Sequence, residues 1–170
     1  MRRELLILRH GKSDWSVDVD DFHRPLKNRG KRGARRMGAW LLQQQLLPDH
    51  IVSSPAERAL ATAGKVCKAT GMKPGDIHQD RRVYAAGLDQ LLEVLASCPE
   101  KAHRVLLVGH NPGLEELLEY LTDGEAPVPD DGKMLPTAAL ARLYMPGDWH
   151  GLAAGCARLE SVIRPGALPG

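Results

Sequence analysis

Short apolar runs alternate along the chain with longer segments of helical period, and that alternation predicts an α/β domain. Leu5 to Leu8 reads as a buried strand. Asn28 is placed to cap a helix whose Ala34, Met37 and Leu41 recur at spacings of three and four. Ile51-Val52 is a second short strand and runs into Ser54-Pro55-Ala56-Glu57. There Ser54 fits the N-cap, Pro55 the first helical position, and Glu57 the closing residue of a capping box. That helix should continue through Leu60, Ala63 and Cys67 to a stop at Gly71. A weaker strand is expected near Asp76 to Gln79, followed by an amphipathic helix on Leu88, Leu91, Leu92 and Leu95 that Pro99 ends. Val105 to Val108 is the clearest buried strand. Pro112 opens the next helix, with Leu114, Leu117, Leu118 and Leu121 on its apolar face. Ala138 to Met145 and Leu152 to Ile163 read as late strands joined by a turn at Pro146-Gly147-Asp148.

No repeat or interdomain linker interrupts this pattern, so residues 1–163 are expected to form one αβα layered domain. Gly124 to Gly132 is acidic and proline-bearing, hence a surface loop, and 164–170 should fray. At 170 residues the chain can bury a core without disulfide or metal staples. Aromatic residues make up only 4%, so that core must be aliphatic. A formal charge of +2 argues against a general polyanion binder, and no nucleic-acid partner is expected. No run approaches the roughly 20 apolar residues that span a bilayer, so no membrane partner is expected either. The apolar run behind Met1-Arg2-Arg3-Glu4 is too short for a signal-peptide core. Cys67, Cys98 and Cys156 are isolated, which argues against a disulfide framework or a cysteine zinc site and fits a reducing, cytoplasmic setting.

Open α/β sheets bind ligands at the carboxyl ends of their strands. The first strand ends in Arg9-His10-Gly11-Lys12. The second ends at Ser53-Ser54, with Arg58 one helical turn on, and the Val105 to Val108 strand ends in Gly109-His110-Asn111-Pro112. Each string alone has an ordinary explanation: a short coincidence, an exposed helix arginine, a histidine beneath a loop. Together they bring two histidines and two arginines to strand ends, which suits phosphoryl transfer. One imidazole can serve as nucleophile while cations carry the phosphate charge.

Leu8-Arg9-His10-Gly11 resembles the signature of the histidine phosphatase (phosphoglycerate mutase-like) superfamily. The segment Ser53 to Ala63 is similar to its second arginine motif, and Val108-Gly109-His110-Asn111-Pro112 to its second histidine motif. The short length and Arg24-Pro25-Leu26 resemble the compact SixA-type phosphohistidine phosphatase branch. The resemblance implies a three-layer αβα sandwich with a mostly parallel sheet and an antiparallel edge strand. It implies His10 as the transiently phosphorylated nucleophile, with Arg9 and Arg58 on the phosphoryl oxygens and His110 completing the pocket. Arg24, Gly11 and Asn111 would be further substrate contacts. The scheme calls for no cofactor and no metal. On physical grounds His10 must be neutral with one nitrogen free, so its other nitrogen should donate to a backbone carbonyl.

A general acid is harder to place. Asp89 and Glu93 lie on a helix where they serve equally well as surface residues, and Asp14, Asp18, Asp20, Asp21 and His23 lie in the loop after the nucleophile. An alkoxide needs a proton in order to leave, whereas the imidazole of a phosphohistidine can depart neutral. The expected partner is therefore a phosphorylated protein histidine, such as a phosphotransfer domain, with inorganic phosphate as product. A small phosphate ester cleaved by a general phosphomonoesterase is the alternative. A non-catalytic phosphoprotein-binding module is the rival of another class. Finally, Arg24 to Arg36 holds seven basic residues and no acidic one. That stretch reads either as a docking patch for an acidic protein, with weak nucleic-acid contact a variant of it, or as a solvated helix face.

Overall fold

A computed structural model describes residues 3–169; Met1 and Arg2, and Gly170 of the segment expected to fray, lie outside the described residues. The apolar strings become strands β1 (Arg3–Arg9), β2 (His50–Ser53), β3 (Ile77–Gln79) and β4 (Arg104–Gly109). Between and after them come helices α1 (Asn28–Gln43), α2 (Glu57–Thr70), α3 (Leu88–Ala96) and α4 (Gly113–Thr122), and then β5 (Leu140–Met145) and β6 (Arg158–Ile163). All strands join one sheet in the order β3-β2-β4-β1-β5-β6.

The reason β1 and β4 read as unbroken apolar runs is that both of their faces are covered. Leu5, Ile7, Val105 and Leu107 point to the α3 and α4 side, where they meet Leu91, Leu95, Leu117 and Leu121. Leu6, Leu8, Leu106 and Val108 point the other way, onto Met37 and Leu41 of α1 and Ala63 and Val66 of α2. Three layers result, as the pattern predicted.

Several local expectations need correction. The strand of reversed direction is β5, one in from the edge; β6 is antiparallel to β5 and so runs with the rest of the sheet. The N-cap of α1 is Lys27 rather than Asn28, with no side-chain capping bond. Likewise α2 starts at Glu57 behind Ala56, so no capping box forms at Ser54; its hydroxyl is used in the site described below. The β5–β6 connection is no tight turn. It extends from Pro146 to Ala157 because Trp149 and Leu152 fill the end of the α3–α4 core, and the Trp149 indole donates to the Ala102 carbonyl at 2.9 Å. Residues 164–168 are docked where fraying was expected. Arg164 pairs with Asp131 at 2.7 Å, and Leu168 packs onto the α1–α2 core.

Candidate active site

In β1 and β4 the parallel register sets Arg9 beside Gly109, and His10 and His110 are the next residues out. β2 lies on the far side of β4 with Ser53 opposite Val108, which delivers Ser54 and the start of α2 to the same edge. The imidazole centroids of His10 and His110 are 5.1 Å apart. Arg9, His10 and Arg58 line one open cleft of about 990 Å³.

The tautomer of His10 follows from its partner. Its Nδ1 lies 2.7 Å from the Gly11 carbonyl oxygen, which can only accept, so Nδ1 carries the proton and Nε2 keeps a free lone pair. The backbone thus does what a nucleophilic imidazole needs. His110 is fixed from its other nitrogen, with Nε2 2.8 Å from the Ser54 hydroxyl. Ser54 Oγ also accepts from the Ala56 N–H at 3.2 Å, and its second lone pair or its own proton serves His110 Nε2, according to the tautomer of the ring. His110 Nδ1 is buried with no partner among the described residues, and Arg9 Nε is in the same condition.

Arg58 is 8% exposed and is held by Asp21 through the backbone oxygen at 2.6 Å and Oδ2 at 3.0 Å. Tyr84 donates its hydroxyl to that same Oδ2 at 2.7 Å. The Tyr84 bond chiefly, with Arg58 adding to it, holds the Asp21 carboxyl below the usual carboxylate range, while the Tyr84 phenol is pushed up. Asp21 is therefore an ionised acceptor. Arg9 donates to the Leu135 carbonyl at 3.3 Å, and the Leu135 N–H is in turn held by Glu115 at 2.8 Å.

The nucleophile loop is pinned in two ways. A Cβ on Gly11 would lie 2.6 Å from the Gly30 carbonyl oxygen, so glycine alone permits α1 to approach so closely. The Gly11 N–H donates to Thr62 Oγ1 at 2.9 Å, and Thr62 Oγ1 donates to the Arg58 carbonyl at 2.8 Å. Thr62 thus couples the loop carrying His10 to the helix carrying Arg58. Thr62→Val keeps the volume but orphans the Gly11 N–H, a loss of roughly 1–3 kcal/mol for a buried unsatisfied group. Denaturant unfolding should show that loss together with lowered kcat; an unchanged midpoint would deny the coupling.

Burial pulls the His10 imidazolium down to about 4, against the Gly11 bond, and repulsion from Arg58 and Arg9 adds to the effect. Burial first, then His10 and Arg58, draws His110 down to about 3. Both values lie below the unfolded 6.5, so between them the unfolded chain binds more protons and stability rises with pH. This contribution is complete above about 6.5 and is lost as pH falls through the folded values. The melting temperature should therefore drop as pH falls below about 6.5, and less steeply in His10→Gln. Identical slopes for the two proteins would contradict the assignment.

Other expected contacts are differently employed. Arg24 is not brought to the cleft: its guanidinium donates to the carbonyls of Asp14, Val17 and Val19 and stacks 3.9 Å from the Trp15 ring centroid. Its terminal nitrogens fold the loop, while Nε is buried with no partner among the described residues. The Gly11 N–H is committed to Thr62, and Asn111 Nδ2 donates to Leu135 at 2.8 Å. Asp89 and Glu93 stand exposed on α3. Tyr84, Ser54, Thr62 and Glu115 went unrecognised in the sequence. Ser54 and Tyr84 had a positional signal, since they follow the carboxyl ends of β2 and β3. Among the described residues no cluster of three or more His, Cys, Asp or Glu is placed to hold a metal ion, and no helix is long and apolar enough to cross a membrane.

Residues 5–84 match the model of the histidine phosphatase superfamily, branch 1. An uncharacterised protein of Mycobacterium tuberculosis is 30% identical over 162 residues, spanning 93% of this chain and 99% of its own. Among solved structures, a candidate phosphohistidine phosphatase SixA of Nakamurella multipartitia superposes with a TM-score of 0.82 at 29% identity, covering 98% of each chain. Its counterpart from Agrobacterium tumefaciens gives 0.77 at 26%, covering 100% of each. A relative matched along nearly its whole length, together with paired imidazoles at adjacent strand ends, settles the kinship: this chain belongs to the histidine phosphatase superfamily, in its compact SixA-type branch, and is a phosphatase.

Proposed function

We propose that this phosphatase dephosphorylates protein-borne phosphohistidine through a covalent intermediate on His10, with residues 1–163 acting as one catalytic domain in a cytoplasmic setting. The incoming phosphoryl group lies with its oxygens on Arg9 and Arg58, whose guanidinium forks suit paired oxygens better than an ammonium would. His110 Nδ1–H donates to a third oxygen. His10 Nε2 attacks phosphorus, and the phosphorus–nitrogen bond to the substrate imidazole breaks. That ring, protonated on its other nitrogen, leaves neutral. Water then attacks the phosphohistidine, releases a proton to solvent, and returns His10 as neutral imidazole with inorganic phosphate as product. Pre-arranged cations supply the stabilisation that an in-line phosphoryl transfer needs.

One observation carries the choice of substrate. Asp21, the carboxylate bound to Arg58 in the cleft, accepts from both Arg58 and Tyr84, and Tyr84 spends its own proton on Asp21. Neither group is free to protonate a departing alkoxide. A phosphoramidate does not ask for that proton.

The test is turnover of a phosphohistidine peptide against an alkyl phosphate ester, in the wild type and in Asp21→Asn. The peptide should be strongly preferred, and Asp21→Asn should change its kcat by less than about tenfold. A general acid would contribute some 10²–10⁴-fold, so ester cleavage that matches peptide cleavage and collapses in Asp21→Asn would move the substrate to small phosphate esters.

A further inference from the structure

The half-buried Arg82, Arg104, Arg142 and Arg164 each bond to a carboxylate. Lys12, Arg29, Arg32, Arg36 and Lys133 form no ion pair among the described residues. The cleft that holds His10 continues into a second cavity through Lys12, Arg29 and Thr137, which line both. Arg32, Arg36 and Lys133 line that second cavity. Arg29, Arg32 and Arg36 fall on one face of α1, spread over roughly 10 Å of its axis. The carboxylates along the way are already engaged: Asp14 by Ser16, Asp21 by Arg58 and Tyr84, and Asp131 by Arg164. A band of uncompensated positive charge therefore runs out of the catalytic cleft, and Trp15, 73% exposed, lies on the cleft's rim.

We propose that this band is a docking surface for an acidic protein segment flanking the phosphohistidine, an inference that rests on the substrate reading above. Its length exceeds what one phosphoryl group occupies, so its occupant is a chain whose reacting group sits in the cleft while its flank lies along α1. Extended chain covers about 3.3 Å per residue, so the acidic side chains belong within roughly three to six residues of the phosphohistidine. Protein is favoured over nucleic acid on two counts. The formal charge of the whole chain is only +2, so the basicity is local. A nucleic-acid backbone would also present the cleft with diesters, which have no terminal phosphoryl group to transfer. Complementary charge of this kind acts mainly on encounter and apparent affinity, and it weakens as salt screens it.

The test compares two phosphohistidine peptides of equal length, one with aspartate and glutamate flanks and one with serine flanks, on the wild type and on the triple variant R32Q/R36Q/K133Q. The wild type should show a kcat/KM about tenfold or more higher for the acidic peptide at low ionic strength, mainly through KM and shrinking with added salt. The triple variant should lose that preference while cleaving the serine-flanked peptide as the wild type does. Equal kcat/KM for both peptides in the wild type, or an undiminished preference in the variant, would overturn the proposal. Calorimetric titration with the unphosphorylated acidic peptide reads docking without turnover. Saturable binding that the variant loses, beside no turnover of either peptide, would uphold docking and sink the substrate reading. Stronger competition by a short single-stranded DNA than by the acidic peptide would overturn the choice of protein.

Discussion

His10→Ala should lower turnover of a phosphohistidine peptide by on the order of 10⁴-fold or more, as removal of a nucleophile does when the remaining groups can act only through it. The loss should lie in kcat, because Arg9 and Arg58 still bind the phosphoryl group. The variant should also fold: His10 is buried at the strand edge, and among the described residues its side chain bonds only to the next residue's carbonyl. Since Nε2 is the free nitrogen, added imidazole should restore part of the activity by occupying the vacated space. Steady-state kinetics with and without imidazole check both expectations. Retention of more than about a tenth of wild-type kcat would place the chemistry on another group.

Arg58→Ala should cost about 10²–10³-fold in kcat, the range for removing one pre-arranged donor from a developing anion. Two further consequences are specific to this site. Asp21 would lose its cationic partner and stand as an unmatched negative charge beside the incoming phosphate, so KM should rise as well. The His10 imidazolium would lose a repelling neighbour, so its pKa should move up from about 4. Arg58→Lys should recover less than about tenfold, because an ammonium cannot donate in parallel to two oxygens and keep both Asp21 bonds. Kinetics combined with imidazole NMR titration separate these effects. Recovery to wild-type kcat in Arg58→Lys would show that charge alone matters there.

Strand ends were readable in the sequence because the apolar runs are short and end abruptly in polar residues. That is how Arg9, His10, Arg58 and His110 came to be singled out. The partners that orient them were not readable, since they come from distant segments: Tyr84 and Asp21 are 63 positions apart, and Thr62 and Gly11 are 51. Arg24 was named on the string Arg24-Pro25-Leu26, and a short string says nothing about which acceptors a loop offers. Here three backbone carbonyls take the guanidinium. Ser54 was read as a cap by local pattern, yet the backbone reaches helical geometry only at Glu57, which leaves the hydroxyl for His110. The β5–β6 connection was missed for the same kind of reason. Only the assembled core shows that Trp149 and Leu152 have a space to fill.

The most direct measurement is a rapid quench in alkaline denaturant of the enzyme during turnover of a ³²P-labelled phosphohistidine peptide, or of the unlabelled peptide followed by ³¹P NMR of the trapped protein at alkaline pH. Acid-labile, alkali-stable phosphate should appear on His10, bonded at Nε2, form and decay at rates compatible with kcat, and be absent from His10→Ala. Label on Nδ1, label on another residue, or single-step hydrolysis with no trapped phosphoenzyme under saturating substrate would contradict it.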